Sequence, residues 1–473
     1  MNLQVIVLYL VLVIWGWLTI YSASYNYDNT RILDMDIASG RQFLWMGVSF
    51  AVAFLIMLVD SRWFFDASAV VYGLVMLLLL VTIFIAPDTK GSRSWLVFGG
   101  FSLQPAEFAK FATSLMLATY IGKNGLNLKQ GIKDYAVFLI ILLPVGLIFL
   151  QKETGSALVY LSLLLVLYRE GMSPVLLAAG VCAILYFIVG VRFGDVYLWQ
   201  HTSVGKLMVL LFVQAVFLLM FQLNNRRSRP LPRRLLLLNA VPLLPGCLAA
   251  WLWHFNLCYV PVATLALSLV WLLLLSLSKP LRRVALSVFF VVASVAFLYG
   301  TDYVMENVLQ PHQRTRIEVL LGIIDDPGGA GYNVNQAKIS IGSGGFTGKG
   351  YMNGTQTKLK YVPEQDTDFI FCTVGEELGF LGSAALVLVY AYLLVCLVLM
   401  AERQRNRMVR VYGYCVASIF LFHIVVNLGM VLGILPVIGI PLPFFSYGGS
   451  SLLAFTILLF IFVRMDADRF RFN

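Results

Sequence analysis

Apolar runs long enough to form membrane-spanning helices alternate with short polar segments along the whole chain. A helix crosses the hydrocarbon core of a bilayer in roughly 17–25 residues, and several of the runs are short or interrupted by Gly or Pro. The pattern predicts an all-α polytopic membrane protein, a bundle of about fourteen transmembrane helices near 3–22, 42–59, 67–86, 104–121, 136–151, 155–168, 173–190, 205–223, 235–252, 258–277, 283–300, 375–400, 411–434 and 449–463.

Composition supports the same fold class. Of the 473 residues, 60% are apolar and 12% are charged, whereas soluble domains contain about 45–50% apolar and 25% charged residues. The long apolar runs and the 14% of aromatic residues also exclude disordered, collagen-like and coiled-coil chains. The chain is therefore expected in a membrane and does not have the composition of an ordinary soluble enzyme.

Basic residues are distributed unevenly between the two predicted sides of the membrane. With the N-terminus in the cytoplasm, the inside segments contain 20 of the 34 Lys and Arg residues, and the short outside loops contain six. Because cytoplasmic loops are enriched in Lys and Arg, this count predicts a cytoplasmic N-terminus, a cytoplasmic C-terminus and an even number of spans. The net charge of +10 therefore reflects membrane orientation, and no nucleic-acid partner is expected.

One long segment, 301–369, contains no spanning run and lies outside under this topology. It has eight acidic and six basic residues, and ten of the 33 residues from 322 to 354 are glycine. The stretch GYNVNQAKISI at 331–341 predicts a short amphipathic helix along the membrane surface. So long a connection is either a functional element or a disordered one, and its apolar and aromatic residues favour the functional interpretation.

Three polar features interrupt the apolar runs, and each has two interpretations. Glu107 and Lys110 follow Pro105 at i,i+3 spacing on one helix face. They either face a cavity or a partner, or they only neutralise each other. Glu153 is either a polar group at the membrane edge or a loop carboxylate in water. The Pro- and Gly-rich segment 436–451 is either irregular backbone buried at membrane depth or a plain outside turn.

Cysteine and histidine form no recognisable metal or redox motif. No CxxC pair occurs, and the six cysteines lie in or beside apolar runs, where they are expected as small apolar side chains. The four histidines have no spacing typical of metal ligands. These residues are Cys182, Cys247, Cys258, Cys372, Cys396, Cys415, His201, His254, His312 and His423.

Three long stretches resemble the SEDS family, named for shape, elongation, division and sporulation. The segment 313–382, which includes DDPGGAGY and GTQTKLKYVPEQDTDFIF, resembles the family's long extracytoplasmic loop. NLGMVLGILPVIGIPLPFFSYGGSS at 427–451 resembles its C-terminal signature, and RSWLVFGGFSLQPAEFAK at 93–110 resembles its fourth-helix motif. The resemblance covers roughly 1–170 and 283–473, and the loop is closer to the family's elongation member than to its division member.

The resemblance implies a SEDS-type helical bundle with two departures. The family has ten helices, and this chain carries four additional apolar runs; because four is even, the long loop stays outside. A QPDxGTA-like family motif is replaced by QKETGSA, with Lys152 in place of Pro and Glu153 in place of Asp. The predicted domains are the membrane core 1–172, the inserted helices 173–280, and a second core segment 281–473 that contains the extracytoplasmic catalytic loop 301–370.

The resemblance further implies a peptidoglycan glycosyltransferase. Such an enzyme polymerises lipid II into glycan strands at the outer face of the bacterial cytoplasmic membrane, during cell elongation and shape maintenance. The transfer needs a base for the acceptor sugar hydroxyl and a cation for the departing diphosphate. Asp326 in DDPGGAGY matches the family's essential aspartate and is the predicted base. Its alternative role is a turn-forming Asp before Pro327, and Asp325 is the weaker candidate for the base.

The same motifs supply the predicted substrate-binding residues. Lys110 and Arg93 are expected to contact the diphosphate, with Glu107 orienting Lys110. A divalent cation, Mg²⁺ or Mn²⁺, is an alternative source of positive charge. The implied partners are lipid II, a class B penicillin-binding protein that supplies transpeptidation, other elongation-complex proteins and membrane lipid. The remaining predicted substrate-binding residues are Trp95, Glu153, Lys349 and Ser446.

Two other functions stay open from the sequence. A lipid II flippase or secondary transporter would also have many helices, intramembrane charges and broken segments. Against it, the hydropathy shows no repeated halves, and the densest polar cluster lies in an outer loop. A non-catalytic scaffold for cell-wall assembly would leave Asp326 dispensable.

Overall fold

The chain is almost entirely helical in the computed structural model. Within the part of the chain that the structure describes, there are twenty α-helices and two short two-stranded hairpins, which confirms the all-α prediction. The described residues are 2–25, 32–88, 91–98, 101–123, 136–224, 230–278, 284–309, 311–324, 326, 329 and 331–469.

The helices follow the predicted apolar runs. In order they are α1 Leu3–Ser24, α2 Ala38–Leu58, α3 Ser61–Asp66, α4 Ser68–Ile85, α5 Pro105–Lys123, α6 Ala136–Leu150, α7 Thr154–Leu158, α8 Leu163–Arg169, α9 Pro174–Arg192, α10 Val204–Asn224, α11 Pro230–Ala240, α12 Leu243–Trp253, α13 Tyr259–Ser278, α14 Val284–Tyr303, α15 Pro311–Leu320, α16 Tyr332–Ser343, α17 Thr355–Lys358, α18 Ile370–Glu402, α19 Arg407–Val431 and α20 Gly449–Ala467. The hairpins pair β1 Leu96–Phe98 with β2 Phe101–Leu103, and β3 Tyr197–Leu198 with β4 Thr202–Ser203.

Eleven helical segments within the described residues are long and apolar enough to cross a membrane. They support the prediction of a polytopic membrane protein. Two further predicted spans, Ala136–Leu150 and Thr154–Arg169, are shorter apolar helices, and α5 is not among the eleven. The predicted count of fourteen is therefore not confirmed.

The chain divides into two compact units. Met1–Ser173 and Tyr332–Asn473 form the first unit, and Pro174–Gly331 forms the second. The second unit continues past residue 280, the predicted end of the insertion, and so contains the first part of the predicted catalytic loop. The predicted domain boundaries stay a prediction.

The first unit is built around α19 and α20. α19 packs against α5 and α18, and α20 packs against α2 and α5. Tyr9 of α1 contacts the ring of Phe444 edge-on. Its hydroxyl lies 3.0 Å from Thr456 Oγ1 of α20, within hydrogen-bond distance. The first and last helices therefore belong to one core.

The second unit has an apolar core of its own, and four of its buried polar side chains are hydrogen-bonded to one another. Gln214 Nε2 of α10 donates to Thr264 Oγ1 of α13 at 2.7 Å. The same amide donates to Asn239 Oδ1 of α11 at 3.2 Å, and Asn239 Nδ2 donates to Ser268 Oγ at 2.8 Å. In a lipid environment such hydrogen bonds hold helices together, so this network joins α10, α11 and α13.

The predicted outer segment contains more helix than expected. The helical backbone continues from α14 through a π-helical turn, Val304–Val308, so the first residues of the segment 301–369 are helical. The predicted amphipathic helix is present as α16, which packs against α18. Its alignment along a membrane surface stays a prediction.

A glycine breaks α18 where the glycine-rich part of this segment packs against it. Gly379 has a φ of 64°, a left-handed conformation that glycine adopts without steric cost. At the break, Gly350 N donates to the carbonyl oxygen of Glu377 at 2.9 Å, and Phe380 N donates to that of Gly345 at 2.9 Å. The break therefore anchors the loop to the helix through backbone hydrogen bonds.

Candidate functional site

Glu107 and Lys110 form a buried ion pair in the first turns of α5. Pro105 begins the helix, where its missing N–H and fixed φ suit the first helical position. Lys110 Nζ lies 2.7 Å from Glu107 Oε1, and the two side chains are 2% and 3% exposed. The charges therefore neutralise each other inside the protein, and neither group reaches the surface in this structure.

A histidine of α19 extends this buried pair. His423 Nε2 lies 2.9 Å from Lys110 Nζ, and His423 Nδ1 lies 3.0 Å from the carbonyl oxygen of Pro441. The ring of Phe455 lies 5.0 Å from the ammonium and 4.8 Å from the imidazole. Sequence analysis missed His423 because it is 313 residues away from Lys110 and shares no motif with it.

Glu153 lies within electrostatic range of the same pair. Its Oε2 accepts a hydrogen bond from Ser94 Oγ at 3.0 Å. Burial raises the pKa of Glu153, and the hydrogen bonds from Ser94 and Ser92 offset part of this rise. The charge of Glu107 raises this pKa further, whereas that of Lys110 lowers it. The carboxylate is half-buried at the start of α7, and the choice between its two interpretations stays open.

Close backbone contacts join the fourth-helix motif, the QKETGSA stretch and the C-terminal signature. Arg93 N donates to the carbonyl oxygen of Gln151 at 3.0 Å. At Gly155, an added Cβ would lie 2.6 Å from the carbonyl oxygen of Ile438, so only glycine allows α7 to approach the signature this closely. The fourth-helix motif, the QKETGSA stretch and the C-terminal signature therefore meet at one place in the first unit.

Between α19 and α20 the signature is irregular backbone, and its part from 440 to 446 lies inside the protein. Asn427 Nδ2 donates to the carbonyl oxygen of Ile440 at 2.7 Å, and Ser446 Oγ accepts from the N–H of Leu442 at 2.9 Å. Buried backbone needs such partners, so the interpretation as a plain outside turn does not hold. Ser446, a predicted substrate-binding residue, closes a turn here. Four side chains of the segment are at most 3% exposed: Ile440, Leu442, Phe444 and Phe445.

Lys349, another predicted substrate-binding residue, is paired with a buried carboxylate. Its Nζ lies 2.7 Å from Oε1 of Glu376 in α18, a side chain that is 0% exposed. The same carboxylate accepts the backbone N–H groups of Gln356 and Thr357, each at 2.9 Å. Sequence analysis missed Glu376, although an acid inside an apolar run is a signal for a buried partner.

Arg93 and Lys110 carry positive charge near the joined stretches, as does the exposed Lys152 of QKETGSA. Arg93 is exposed just before β1, and the neighbouring Trp95 is half-buried, whereas Lys110 is buried. Among the residues that the structure describes, no three His, Cys, Asp or Glu side chains are grouped so that they could hold a metal ion. The divalent cation stays a prediction.

Asp326 belongs to the second unit, whereas the other predicted site residues belong to the first. It is half-buried, and its carbonyl oxygen accepts the N–H of Gly331 at 3.1 Å. This local hydrogen bond fits the turn-forming role. Its role as the base stays a prediction, and Asp325 and Pro327 lie outside the described residues.

A cavity of about 430 Å³ between the ends of α1 and α2 and the segment 360–366 is a further feature that sequence analysis missed. Arg41, Lys360 and Asp366 line it. Burial raises the pKa of Asp366, while Lys360 and Arg41 lower it. Tyr447 N donates to the carbonyl oxygen of Asp366 at 2.9 Å, so the cavity wall is tied to the C-terminal signature.

Comparisons with known proteins find similarity along nearly the whole chain. The family model of the cell cycle proteins FtsW, RodA and SpoVE matches residues 2–208 and 204–470. Peptidoglycan glycosyltransferase RodA of Treponema pallidum is 31% identical over 92% of this chain and 90% of its own length. Peptidoglycan glycosyltransferase MrdB of Escherichia coli is 28% identical over 81% of this chain and 73% of its own length. A solved structure of a peptidoglycan synthase complex that coordinates polymerization and crosslinking has a TM-score of 0.61 at 24% identity, covering 99% of this chain and 98% of that one.

Proposed function

Because this chain belongs to the FtsW, RodA and SpoVE family of cell cycle proteins, we propose that it polymerises lipid II into glycan strands during cell elongation. The chain is a peptidoglycan glycosyltransferase of the bacterial membrane. The observation that carries the proposal is the similarity to RodA and MrdB, which extends over 92% and 81% of the chain.

Asp326 is the base in the proposed reaction. Its carboxylate takes the proton of the acceptor sugar hydroxyl as that oxygen bonds to the anomeric carbon of the donor. The bond between the anomeric carbon and the lipid diphosphate breaks in the same step, and the diphosphate leaves with the bond electrons. The half-buried position of Asp326 supports this role, because a base needs access to substrate and partial shielding from water.

Arg93 and Lys110 supply the positive charge for the departing diphosphate in this proposal. The exposed Arg93 makes the direct contact. Lys110, buried with Glu107, acts from inside the protein, where charges are screened less than in water. Glu153 and Trp95 complete the same surface, and Glu107 fixes the orientation of Lys110.

The two rival functions have less support. The names of the relatives favour a glycosyltransferase over a lipid II flippase. A non-catalytic scaffold would need no acidic residue in the position of Asp326.

Orientation and partners belong to the same proposal. The excess of basic residues in the inside segments supports a cytoplasmic N-terminus and C-terminus. A class B penicillin-binding protein is the proposed transpeptidase partner, supported by the fold shared with a member of a peptidoglycan synthase complex.

Replacement of Asp326 by Asn tests the function. The variant keeps the volume of the side chain but removes the proton acceptor, and loss of a general base costs about 10²–10⁴ in rate. We expect near-complete loss of glycan polymer when purified protein and its penicillin-binding partner are incubated with labelled lipid II and the products are resolved on a gel. Glu306→Gln, an exposed carboxylate of the same unit, is the matched control and should keep polymerising.

The outcomes separate the three functions. Polymer at wild-type level from Asp326→Asn would reject Asp326 as the base. A wild-type protein that moves lipid II across vesicles without polymerising it would favour the flippase. A wild-type protein that does neither, yet retains its partner, would favour the scaffold.

A further inference from the structure

We propose that His423 is a positioning residue that holds the Lys110 ammonium in place for the reaction. The inference rests on the proposed function, because it assigns His423 to the cation that serves the departing diphosphate. Lys110 Nζ, His423 and the carbonyl oxygen of Pro441 form a continuous chain with steps of 2.9 and 3.0 Å. This chain runs from α5 through α19 into the C-terminal signature.

The protonation of His423 follows from its two partners. An ammonium group has only hydrogen-bond donors, and a carbonyl oxygen has only acceptor sites. His423 Nε2 must therefore accept from Lys110, and Nδ1 must carry the proton that it donates to Pro441. Only the neutral imidazole in this tautomer satisfies both contacts.

His423 adds a restraint that the ion pair cannot supply. Glu107 and Lys110 lie on the same helix at i,i+3 spacing, so their contact fixes the ammonium only relative to α5. A lysine side chain is flexible, and its position relative to the signature needs a second contact from outside α5. His423 provides that contact, and its own ring is fixed by the carbonyl oxygen of Pro441 and by the Phe455 ring, which is perpendicular to it with the ring centres 4.8 Å apart.

Burial makes this arrangement specific. His423 is 1% exposed and Lys110 is 2% exposed, and a buried polar group costs free energy unless it is hydrogen-bonded. The ion pair alone would neutralise the charge of Lys110, and an apolar side chain would fill the place of His423. An imidazole with two matched hydrogen-bond partners therefore indicates that the site fixes the position of the Lys110 ammonium, in addition to neutralising its charge.

The experiment compares two replacements of His423 by their steady-state kinetics on labelled lipid II. His423→Leu removes the acceptor, and we expect kcat to fall about 10- to 100-fold, because a small misplacement of a catalytic charge has effects of this size, while KM changes by less than about threefold. His423→Gln keeps one acceptor and one donor, so it should restore most of the lost kcat. Tyr412→Phe is the matched control. It also removes a buried hydrogen bond of α19, the one from the Tyr412 hydroxyl to the carbonyl oxygen of Leu458, but this bond does not involve Lys110.

A double variant distinguishes positioning from packing. If His423 acts through Lys110, Lys110→Met and Lys110→Met with His423→Leu should have the same kcat within about twofold. Additive losses, or a Gln variant as impaired as the Leu variant, would overturn the inference, as would full kcat in His423→Leu. Absence of polymer from the wild-type protein would instead overturn the proposed function and with it the reaction that His423 serves.

Discussion

The buried carboxylate of Glu376 accepts several hydrogen bonds from the segment 349–357. Oε1 accepts from the Lys349 ammonium at 2.7 Å and from Gln356 N at 2.9 Å. Oε2 accepts from the N–H of Thr357 at 2.9 Å and from its hydroxyl at 2.7 Å. A carboxylate can accept at both oxygens without offering a donor, so this one residue fixes the fold of the segment around α17.

We expect Glu376→Gln to lower the free energy of unfolding by about 3 kcal/mol, because the amide accepts at only one of its two terminal atoms and leaves buried donors such as Thr357 N unsatisfied. The NH₂ group of the new Gln side chain is itself a hydrogen-bond donor, and it would face donors that the carboxylate now accepts. Lys349→Met should cost about 1–2 kcal/mol, since the carboxylate keeps its other donors. Thermal unfolding in detergent measures both. A Lys349→Met variant with an unchanged melting temperature but no polymer would favour substrate binding by Lys349 over this structural role.

Residue contacts could be predicted from the sequence only where both partners lie close together in the chain. The spacing of Glu107 and Lys110 predicts that they share one helix face, and the structure pairs them. The partner of Lys110 lies on α19 and that of Lys349 lies on α18. Both contacts depend on helix packing, which no local sequence pattern encodes. A match to a known motif supplied Asp326, and the structure does not test its role.

Among the elements, α18 shows how one glycine shapes a helix around a loop. The φ of 64° at Gly379 divides the helix and exposes backbone groups that the glycine-rich loop then satisfies. Together with its ψ of −158°, this φ places Gly379 in a region that is nearly restricted to glycine, where another residue pays about 1–3 kcal/mol. In addition, a Cβ at this position would lie 2.3 Å from the backbone nitrogen of Gly348, so the loop would have to move.

Gly379→Ala should therefore destabilise the protein by more than about 2 kcal/mol and release the loop from α18. Denaturation in detergent gives the stability, and limited proteolysis reports release of the loop. Gly73→Ala in α4 is the control, because an added Cβ there meets no atom within 4 Å and alanine is the better helix former. Equal stability of the two variants would contradict the role of the break.

At this scale the sequence predicts the long apolar helices and fails where apolarity is not the determinant. α5 carries two charges in its first turns and is not among the apolar spans, and α7 and α8 are short. The part of the signature from 440 to 446 is largely buried without being helical, because side chains such as Asn427 satisfy its backbone. Hydropathy cannot distinguish that arrangement from an exposed turn.

For the whole molecule, orientation is the property that makes the proposed chemistry possible. A reporter inserted after Asn224, at the end of α10, should read cytoplasmic, and one inserted at Asn353 should read extracytoplasmic. The expectation follows from the 20 basic residues of the inside segments against six in the short outside loops. A fusion after Asn473 should read cytoplasmic and serves as the control. The same side for Asn224 and Asn353 would separate the long loop from its substrate.

The pairing of the first helix with the last has a consequence for biosynthesis. Tyr9 and Thr456 meet in one core although 447 residues separate them. At about 5–20 residues per second, the ribosome needs roughly 20–90 s to deliver the partner of Tyr9 after Tyr9 itself has been made. During that interval the second unit, which is contiguous in the chain, can be completed. The ion pair of α5 is likewise made well before His423 of α19, its hydrogen-bond partner. The earliest helices therefore depend longest on the insertion machinery and on neighbouring lipid.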